Sequence, residues 1–336
     1  MENFDALSHL LASPKKIVIT THQNPDGDAM GSSLAMWQYL KKKGHQVTVV
    51  VPTNYPDFLK WLPGDKEVLI FPYQHSKSKQ LVDEAEVIFC LDFNALSRIN
   101  DLGQQMKLNT RAFKVLIDHH LEPENFADAS LWKVSASSTA ELVYEFIQLN
   151  QDAHLIDKDM ADCIYTGLLT DTGGFQHPNT TPKVMHIAAE MLDRGIDPSY
   201  IYRMVFNSFT ELRLRLFGYC ITEKLQIVPE LRTAIIALDR NELVKFQVRS
   251  GDTEGIVNYP LKISTINLSA FVVDRTEMIK LSFRSIGSFD VNTFARKHFN
   301  GGGHHNAAGG TSHDSLEQTL KKLETLLPQY KEQLVY

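Results

Sequence analysis

The chain has 336 residues and a mass of 38.1 kDa, more than one ordinary hydrophobic core fills, so two domains are expected. Hydrophobic residues make up 43% and charged residues 22%, a globular balance that excludes a disordered or fibrous chain. A formal net charge of -6 argues against a protein that grips long duplex nucleic acid along its backbone, since that mode needs a basic surface. No apolar run is long enough to span a bilayer and residues 1–5 lack a basic leader, so the expected location is the cytoplasm, with no membrane partner. Cys90, Cys163 and Cys220 are far apart and form no C-x-x-C pair, which reads as reduced, buried thiols.

Taken in order, the first 195 residues alternate short apolar strands with helices. Strands are predicted at 16–22, 46–51, 68–71, 87–92 and 114–119, each rich in Val, Ile, Phe or Leu. A helix over 28–43 is closed by Gly44, and further helices are predicted at 78–85 and 95–106. This alternation predicts an α/β fold: a mainly parallel sheet with helices on both faces. Helices at 136–150 and 156–170 follow, then one opened by Pro182 and ended by Gly195. Residues 197–225 read as a helical connector. The remainder reads as a smaller α+β domain, with strands at 232–238, 266–273 and 278–285, helices near 254–263 and 291–299, a glycine-rich loop, and a charged amphipathic helix from Ser315. The expected division is 1–195, 196–225 and 226–336.

The organising stretch is residues 20–33, T-T-H-Q-N-P-D-G-D-A-M-G-S-S, between the first strand and the first long helix. His22, Asp26 and Asp28 then fall on a strand-to-helix turn at the carboxyl edge of a parallel sheet, where open α/β folds bind ligands. Two carboxylates and an imidazole offer hard oxygen and borderline nitrogen donors, better suited to Mn2+ or Mg2+ than to Zn2+. An ordinary Asn-Pro-Asp-Gly turn, with Asp28 capping the helix, explains the same letters.

Three further pieces fall at the same edge. Asp92 ends the strand Cys90-Leu91-Asp92, and Asp118-His119-His120 ends Val115-Leu116-Ile117. Asp171 ends a helix in G-L-L-T-D-T-G-G, where the partial negative charge of a helix C-terminus makes an acid unexpected unless something positive lies near it. Singly, each is a common cap, turn or filler. Jointly, they converge on one crevice, where crowded acids need divalent cations to neutralise them. Two ions sharing a carboxylate is the arrangement that clamps the oxygens of a phosphoryl displacement and activates water for hydrolysis.

H-x-x-x-D-x-D at 22–28, Asp92, Asp118-His119-His120, Asp171 in its G-L-x-x-D-T-G setting and Gly301-Gly302-Gly303-His304 together resemble the DHH phosphoesterase family. Nearly the whole chain is covered, and the compact nanoRNase members, bifunctional oligoribonucleases and pAp phosphatases, are the nearer likeness. The resemblance implies a metal-binding catalytic domain over 1–195 and a DHH-associated substrate domain over 226–336. It implies that His22, Asp26 and Asp92 hold one Mn2+, and that Asp28, Asp92, His119 and Asp171 hold a second, with Mg2+ as a substitute. Asp92 would bridge, His120 would lie beside the water or the phosphate, and Asp118 would orient the histidines. Gly302, Gly303, His304, His305 and Arg284 would contact substrate phosphate; Arg98, six residues after Asp92, also recurs in the family.

The implied substrates are short RNA oligonucleotides, pAp, or linear or cyclic dinucleotides such as pApA and c-di-AMP. Length and the missing insertions disfavour processive exonucleases, and the G-G-G-H loop disfavours pyrophosphatases. A metal-dependent nucleotide sensor without turnover is the reading from another class. Monomer and homodimer both stay open.

Overall fold

The computed structural model describes residues 1–249 and 251–335. The chain divides into two compact units, Met1–Ser208 and Phe209–Tyr336.

The first unit is an α/β sandwich. Its elements are α1 (Phe4–Leu11), β1 (Lys16–Thr20), α2 (Gly27–Lys42), β2 (Gln46–Val51), β3 (Leu69–Ile70), α3 (His75–Glu84), β4 (Val87–Leu91), α4 (Asn100–Leu108), β5 (Phe113–Asp118), β6 (Ala129–Trp132), α5 (Thr139–Leu149), α6 (Lys158–Asp171), α7 (Pro182–Asp193) and α8 (Pro198–Phe206). The strand order is β3-β2-β1-β4-β5-β6, and every pairing is parallel. Because side chains alternate across a strand, the apolar runs fill two cores at once. Ile17, Ile19, Phe89, Leu91, Val115 and Ile117 face α2, α5 and α6. Val18, Ile88, Cys90 and Leu116 face α3 and α4 on the other side. The parallel sheet with helices on both faces is as expected, and the thiols of Cys90, Cys163 and Cys220 are free and buried.

Helix starts follow capping chemistry. Asp26 caps α2 through the Asp28 and Ala29 N–H groups, Ser138 caps α5, and Thr181 with Pro182 opens α7. α2 packs closely on α6, and the approach needs glycine. A methyl at Gly31 would strike the Cys163 carbonyl, and one at Gly167 would strike Ala140 and Asp28.

The connector differs from expectation. α8 stops at Phe206, residues 207–210 break the helix, and α9 (Glu211–Tyr219) starts afresh on a Thr210 cap and runs into a π-helical turn at Cys220–Lys224. β3 is two residues long rather than four, and the helix expected over 95–106 is a 3-10 turn followed by α4.

The second unit adds β7 (Leu225–Val228), β8 (Thr233–Leu238), α10 (Arg240–Lys245), β9 (Leu268–Asp274), β10 (Ile279–Ser285), α11 (Val291–Phe299), β11 (Gly302–His304), β12 (Ala307–Ser312), α12 (Leu316–Leu326) and α13 (Lys331–Val335). Its sheet runs β11-β12-β10-β9-β8-β7, antiparallel except for β8 against β9. Residues 254–263 hold a 3-10 helix, Ile256–Lys262, because Pro260 inside it cannot donate an α-helical bond. The glycine-rich loop is a β-hairpin, β11 and β12. Its glycines let two backbones meet where Cβ atoms would clash, as at Gly303, whose φ of 151° also places it outside the range of ordinary side chains. Among the described residues no helix is long and apolar enough to cross a membrane.

Candidate metal centre

The candidate side chains of the first unit sit at the carboxyl ends of β1, β4 and β5 and of α6. In the order β3-β2-β1-β4-β5-β6 the winding reverses between β1 and β4, and a crevice opens at such a switch point. His22, Asp26 and Asp28 follow β1, Asp92 follows β4, and Asp118 to His120 end β5.

Two donor groups form there. His22, Asp26 and Asp92 offer ligand atoms within 4.8 Å of one another, and so do Asp28, His119 and Asp171. Asp92 faces both. Its Oδ2 is 3.4 Å from His22 Nε2, and its Oδ1 is 3.4 Å from His119 Nε2. His119 Nε2 is also 3.3 Å from Asp171 Oδ2, which is the positive partner that the helix-ending acid called for. Asp26 does two things: Oδ1 caps α2 and Oδ2 lies 3.7 Å from His22 Nε2.

The backbone fixes the imidazole tautomers. His22 Nδ1 lies 2.8 Å from the Gln23 carbonyl and His119 Nδ1 3.3 Å from the Ala136 carbonyl. A carbonyl only accepts, so each Nδ1 carries a proton and each Nε2 faces the carboxylates, where it donates while protonated and can bind a cation once that proton leaves. His120 Nδ1 lies 2.8 Å from Asp118 Oδ1, so Asp118 orients that ring.

The site is electrostatically crowded. Burial, together with Asp92 and Asp171, holds Asp28 well above the usual carboxylate range, against two backbone N–H bonds that favour its charge. Burial also holds Asp171 well above that range, with Asp26 and Asp92 adding repulsion that His119 opposes. Burial would raise Asp92 too, but His119, His22 and His120 outweigh it and hold it well below its ordinary value. Burial would lower His22, yet Asp26 and Asp92 push it up to about 10. Asp118 Oδ2 is buried with no hydrogen-bond partner among the described residues. Buried carboxylates that repel one another, interleaved with imidazole Nε2 atoms, fit a hard divalent cation: positive charge at their centre removes the repulsion and can replace the imidazole protons.

Sequence reasoning missed the residues that hold this set. Thr139 and Ala140 at the start of α5 donate backbone N–H bonds of 2.6 and 2.8 Å to Asp28, and the Thr139 hydroxyl lies 3.0 Å from Asp92 Oδ1. Asn179 Nδ2 bridges the Ser137 and Asp171 carbonyls. The Arg98 carbonyl accepts the Gln23 N–H at 2.8 Å, tying the loop after β4 to the neighbour of His22. Only the Ser138-x-x-Glu141 capping signature pointed towards this turn.

The other candidate residues lie in the second unit. Antiparallel register sets Arg284 opposite Ala307 and Ala307 opposite His304, so both side chains share one face of the sheet. Gly302 pairs with Gly309 on that face, two residues along. The Gly303 N–H donates to Asn292 Oδ1 at 2.9 Å, and His305 Nδ1 lies 3.7 Å from Asp290 Oδ2.

Fold and site together define an α/β protein with donor clusters able to hold metal at the carboxyl edge of its parallel sheet. Comparison supplies the family. Residues 16–168 match the DHH family N-terminal domain, and residues 234–333 match the DHHA1 domain. The chain is 32% identical over 313 residues to a probable bifunctional oligoribonuclease and PAP phosphatase NrnA of Streptococcus mutans, covering 91% of this chain and 94% of that one. It is 30% identical to the bifunctional oligoribonuclease and PAP phosphatase NrnA of Thermus thermophilus, covering 88% and 83%. A crystal structure of an exopolyphosphatase-related protein from Bacteroides fragilis superposes with a TM-score of 0.92 at 42% identity, covering 98% and 96%. The chain belongs to the DHH family and is a hydrolase.

Proposed function

We propose that the protein hydrolyses short RNA oligonucleotides and pAp to mononucleotides, using a pair of divalent ions, Mn2+ or in its place Mg2+. His22, Asp26 and Asp92 would hold one ion, and Asp28, Asp92, His119 and Asp171 the other. The observation that carries this is the position of Asp92, whose two oxygens face two different donor groups at 3.4 Å each. The names of the relatives from S. mutans and T. thermophilus support the choice of substrates.

Bound ions supply Lewis acidity at a phosphoryl oxygen and bring a water near neutral pKa. The chain's own residues set the geometry. His22 and His119 present Nε2 because main-chain carbonyls hold Nδ1–H, and Asp28 is immobilised by the start of α5. Asp118 fixes the His120 ring, which would donate a hydrogen bond or a proton to the phosphate or its leaving oxygen. In the second unit Arg284, His304 and His305, with the backbone of Gly302 and Gly303, would bind substrate phosphate. The expected division of labour is therefore chemistry in the first domain and substrate capture in the second.

A panel of pAp, pApA, c-di-AMP, pyrophosphate, polyphosphate and RNA of two to five residues, run with Mn2+ and with Mg2+, tests the reading. Mononucleotide release from short RNA and phosphate release from pAp are expected. Nucleotide binding without any product at any metal concentration would overturn it in favour of a sensor; turnover confined to cyclic dinucleotides would replace the substrate class.

A further inference from the structure

Most of the contacts that orient the donor set converge on one short segment, residues 136–140. The Ala136 carbonyl holds His119 Nδ1, the Ser137 carbonyl accepts Asn179 Nδ2, and Asn179 also binds the Asp171 carbonyl. Thr139 lies within this segment, at the start of α5, and is fully buried. Its N–H donates to Asp28 Oδ2 at 2.6 Å, and its hydroxyl donates to Asp92 Oδ1 at 3.0 Å. One residue thus grips a carboxylate from each donor group. The segment is itself braced, because Glu141 Oε2 accepts the Ser137 N–H at 2.8 Å and Glu141 Oε1 pairs with Lys183 at 2.9 Å.

Asp92 needs such a grip. Its φ of 66° is left-handed, a conformation that a non-glycine residue keeps only where its surroundings over-determine it. The Asp92 N–H still reaches the Ile117 carbonyl of β5 at 3.1 Å, but that bond holds the backbone and leaves the carboxylate to be aligned by side-chain contacts. The Thr139 hydroxyl occupies one lone pair of Oδ1 and leaves Oδ1 and Oδ2 directed at His119 and His22.

We propose that Thr139 is a positioning residue that fixes Asp92 relative to Asp28 and thereby spaces the two ion sites. This rests on the reading of Asp92 as a shared ligand. Outer contacts of this kind change metal affinity or activity by about 10- to 100-fold when removed. Because the backbone N–H bond to Asp28 survives any side-chain change, only the Asp92 end of the grip is lost on substitution, and the hydroxyl alone is under test.

The test compares wild type with Thr139→Val, which keeps the shape, and with Thr139→Ser, which keeps the hydroxyl. Metal-free protein is titrated with Mn2+ alone, and free Mn2+ is read by electron paramagnetic resonance; the melting temperature of each metal-free protein is recorded alongside. Wild type is expected to take up two ions. Thr139→Val is expected to bind one ion normally and the second about 10- to 100-fold more weakly, with kcat reduced and KM little changed, and Thr139→Ser to stay within about threefold of wild type. If the valine variant fails to fold, Thr139→Ala removes the same hydroxyl without the added methyl. Two ions bound by the valine or alanine variant with wild-type affinity overturn the role of Thr139 while leaving the proposed function standing. A serine variant as defective as the valine variant also overturns it, because the hydroxyl would then not be what matters. Uptake of fewer than two ions by wild type removes the shared-ligand reading and this inference together.

Discussion

Gly167 gives the sharpest test of how tightly the fold holds the site. It lies inside α6, where replacing glycine by alanine in open space would gain about 1 kcal/mol of helix propensity. Here the new methyl would stand 2.5 Å from Ala140 Cβ and 2.7 Å from Asp28 Oδ1. Ordinary carbon contacts are about 3.5 to 4.0 Å, so either α5 or α6 must shift by about 1 Å. Overpacking of this kind costs about 1 to 3 kcal/mol. Set against the propensity gain, the net loss is about 0 to 2 kcal/mol, a fall in melting temperature of no more than about 8 °C for a unit of this size. Activity should suffer far more. A displacement of about 1 Å at a catalytic group is worth about 100-fold in rate, and the methyl presses on Asp28 itself and on the residue whose N–H holds it. Gly167→Ala should therefore lose about 100-fold in Mn2+-dependent hydrolysis of a short RNA while remaining folded at 25 °C. Gly218, in α9, has nothing within 4 Å of the point where a methyl would stand, so Gly218→Ala is the control and should gain about 0.5 kcal/mol. A Gly167→Ala enzyme within threefold of wild type would refute the claim that the helix crossing positions Asp28.

Asp92→Ala should abolish turnover and leave the far-ultraviolet circular dichroism unchanged; retained turnover contradicts a shared ligand. His304→Ala should raise KM for short RNA by about tenfold, the loss of one charge-assisted contact, with Mn2+ affinity unchanged; a loss of metal binding would place His304 in a different role. Away from the site, Asp152 accepts from Tyr39 at 2.7 Å and pairs with Lys43 at 2.8 Å. Burial raises its carboxyl, but Lys43 and Tyr39 outweigh this and leave it below its ordinary value of 3.8. A depressed carboxylate contributes stability above its unfolded pKa and loses it as pH falls through the folded value. Asp152→Asn should therefore cost about 1 to 2 kcal/mol at pH 7, and its denaturation midpoint should converge on that of wild type as the pH drops below 3.8. Parallel curves down to low pH would show that the charge of Asp152 is not what stabilises.

Much of the site is legible in the sequence because its chemistry sits at element ends. An aspartate closing an apolar strand can be read from letters alone, and Asp92 and Asp118 are both of that kind. The supports are not legible, because they are main-chain groups and small hydroxyls. Nothing in the letters S-A-S-S-T-A-E says that the Thr139 N–H meets Asp28, 111 positions away in the chain. Periodicity misjudges the glycine-rich stretch for a related reason: glycine suggests a loop, whereas in β11 and β12 it allows strands to approach without side chains between them. Pro260 is present in the letters and counts against an α-helix there.

Strand order is the larger unknown, and the site depends on it. β2, β4 and β5 are similarly apolar, so composition does not say which of them lies beside β1. Neighbouring strands are about 4.8 Å apart, so a sheet laid down in chain order would put β1 about 14 Å from β4. No ion spans that gap, yet His22 Nε2 and Asp92 Oδ2 are 3.4 Å apart. What closes the distance is the reversal after β3. The chain leaves β1 by way of α2 on one face, and returns by way of α3 on the opposite face to place β4 against the free side of β1. Right-handed crossovers require that change of face when the winding direction reverses. The burial of α2 and α3 in separate cores and the pairing of Ile19 with Phe89 are thus two expressions of one topological choice. That choice brings Asp26 and Asp92, far apart in the sequence, to the two lips of a single crevice.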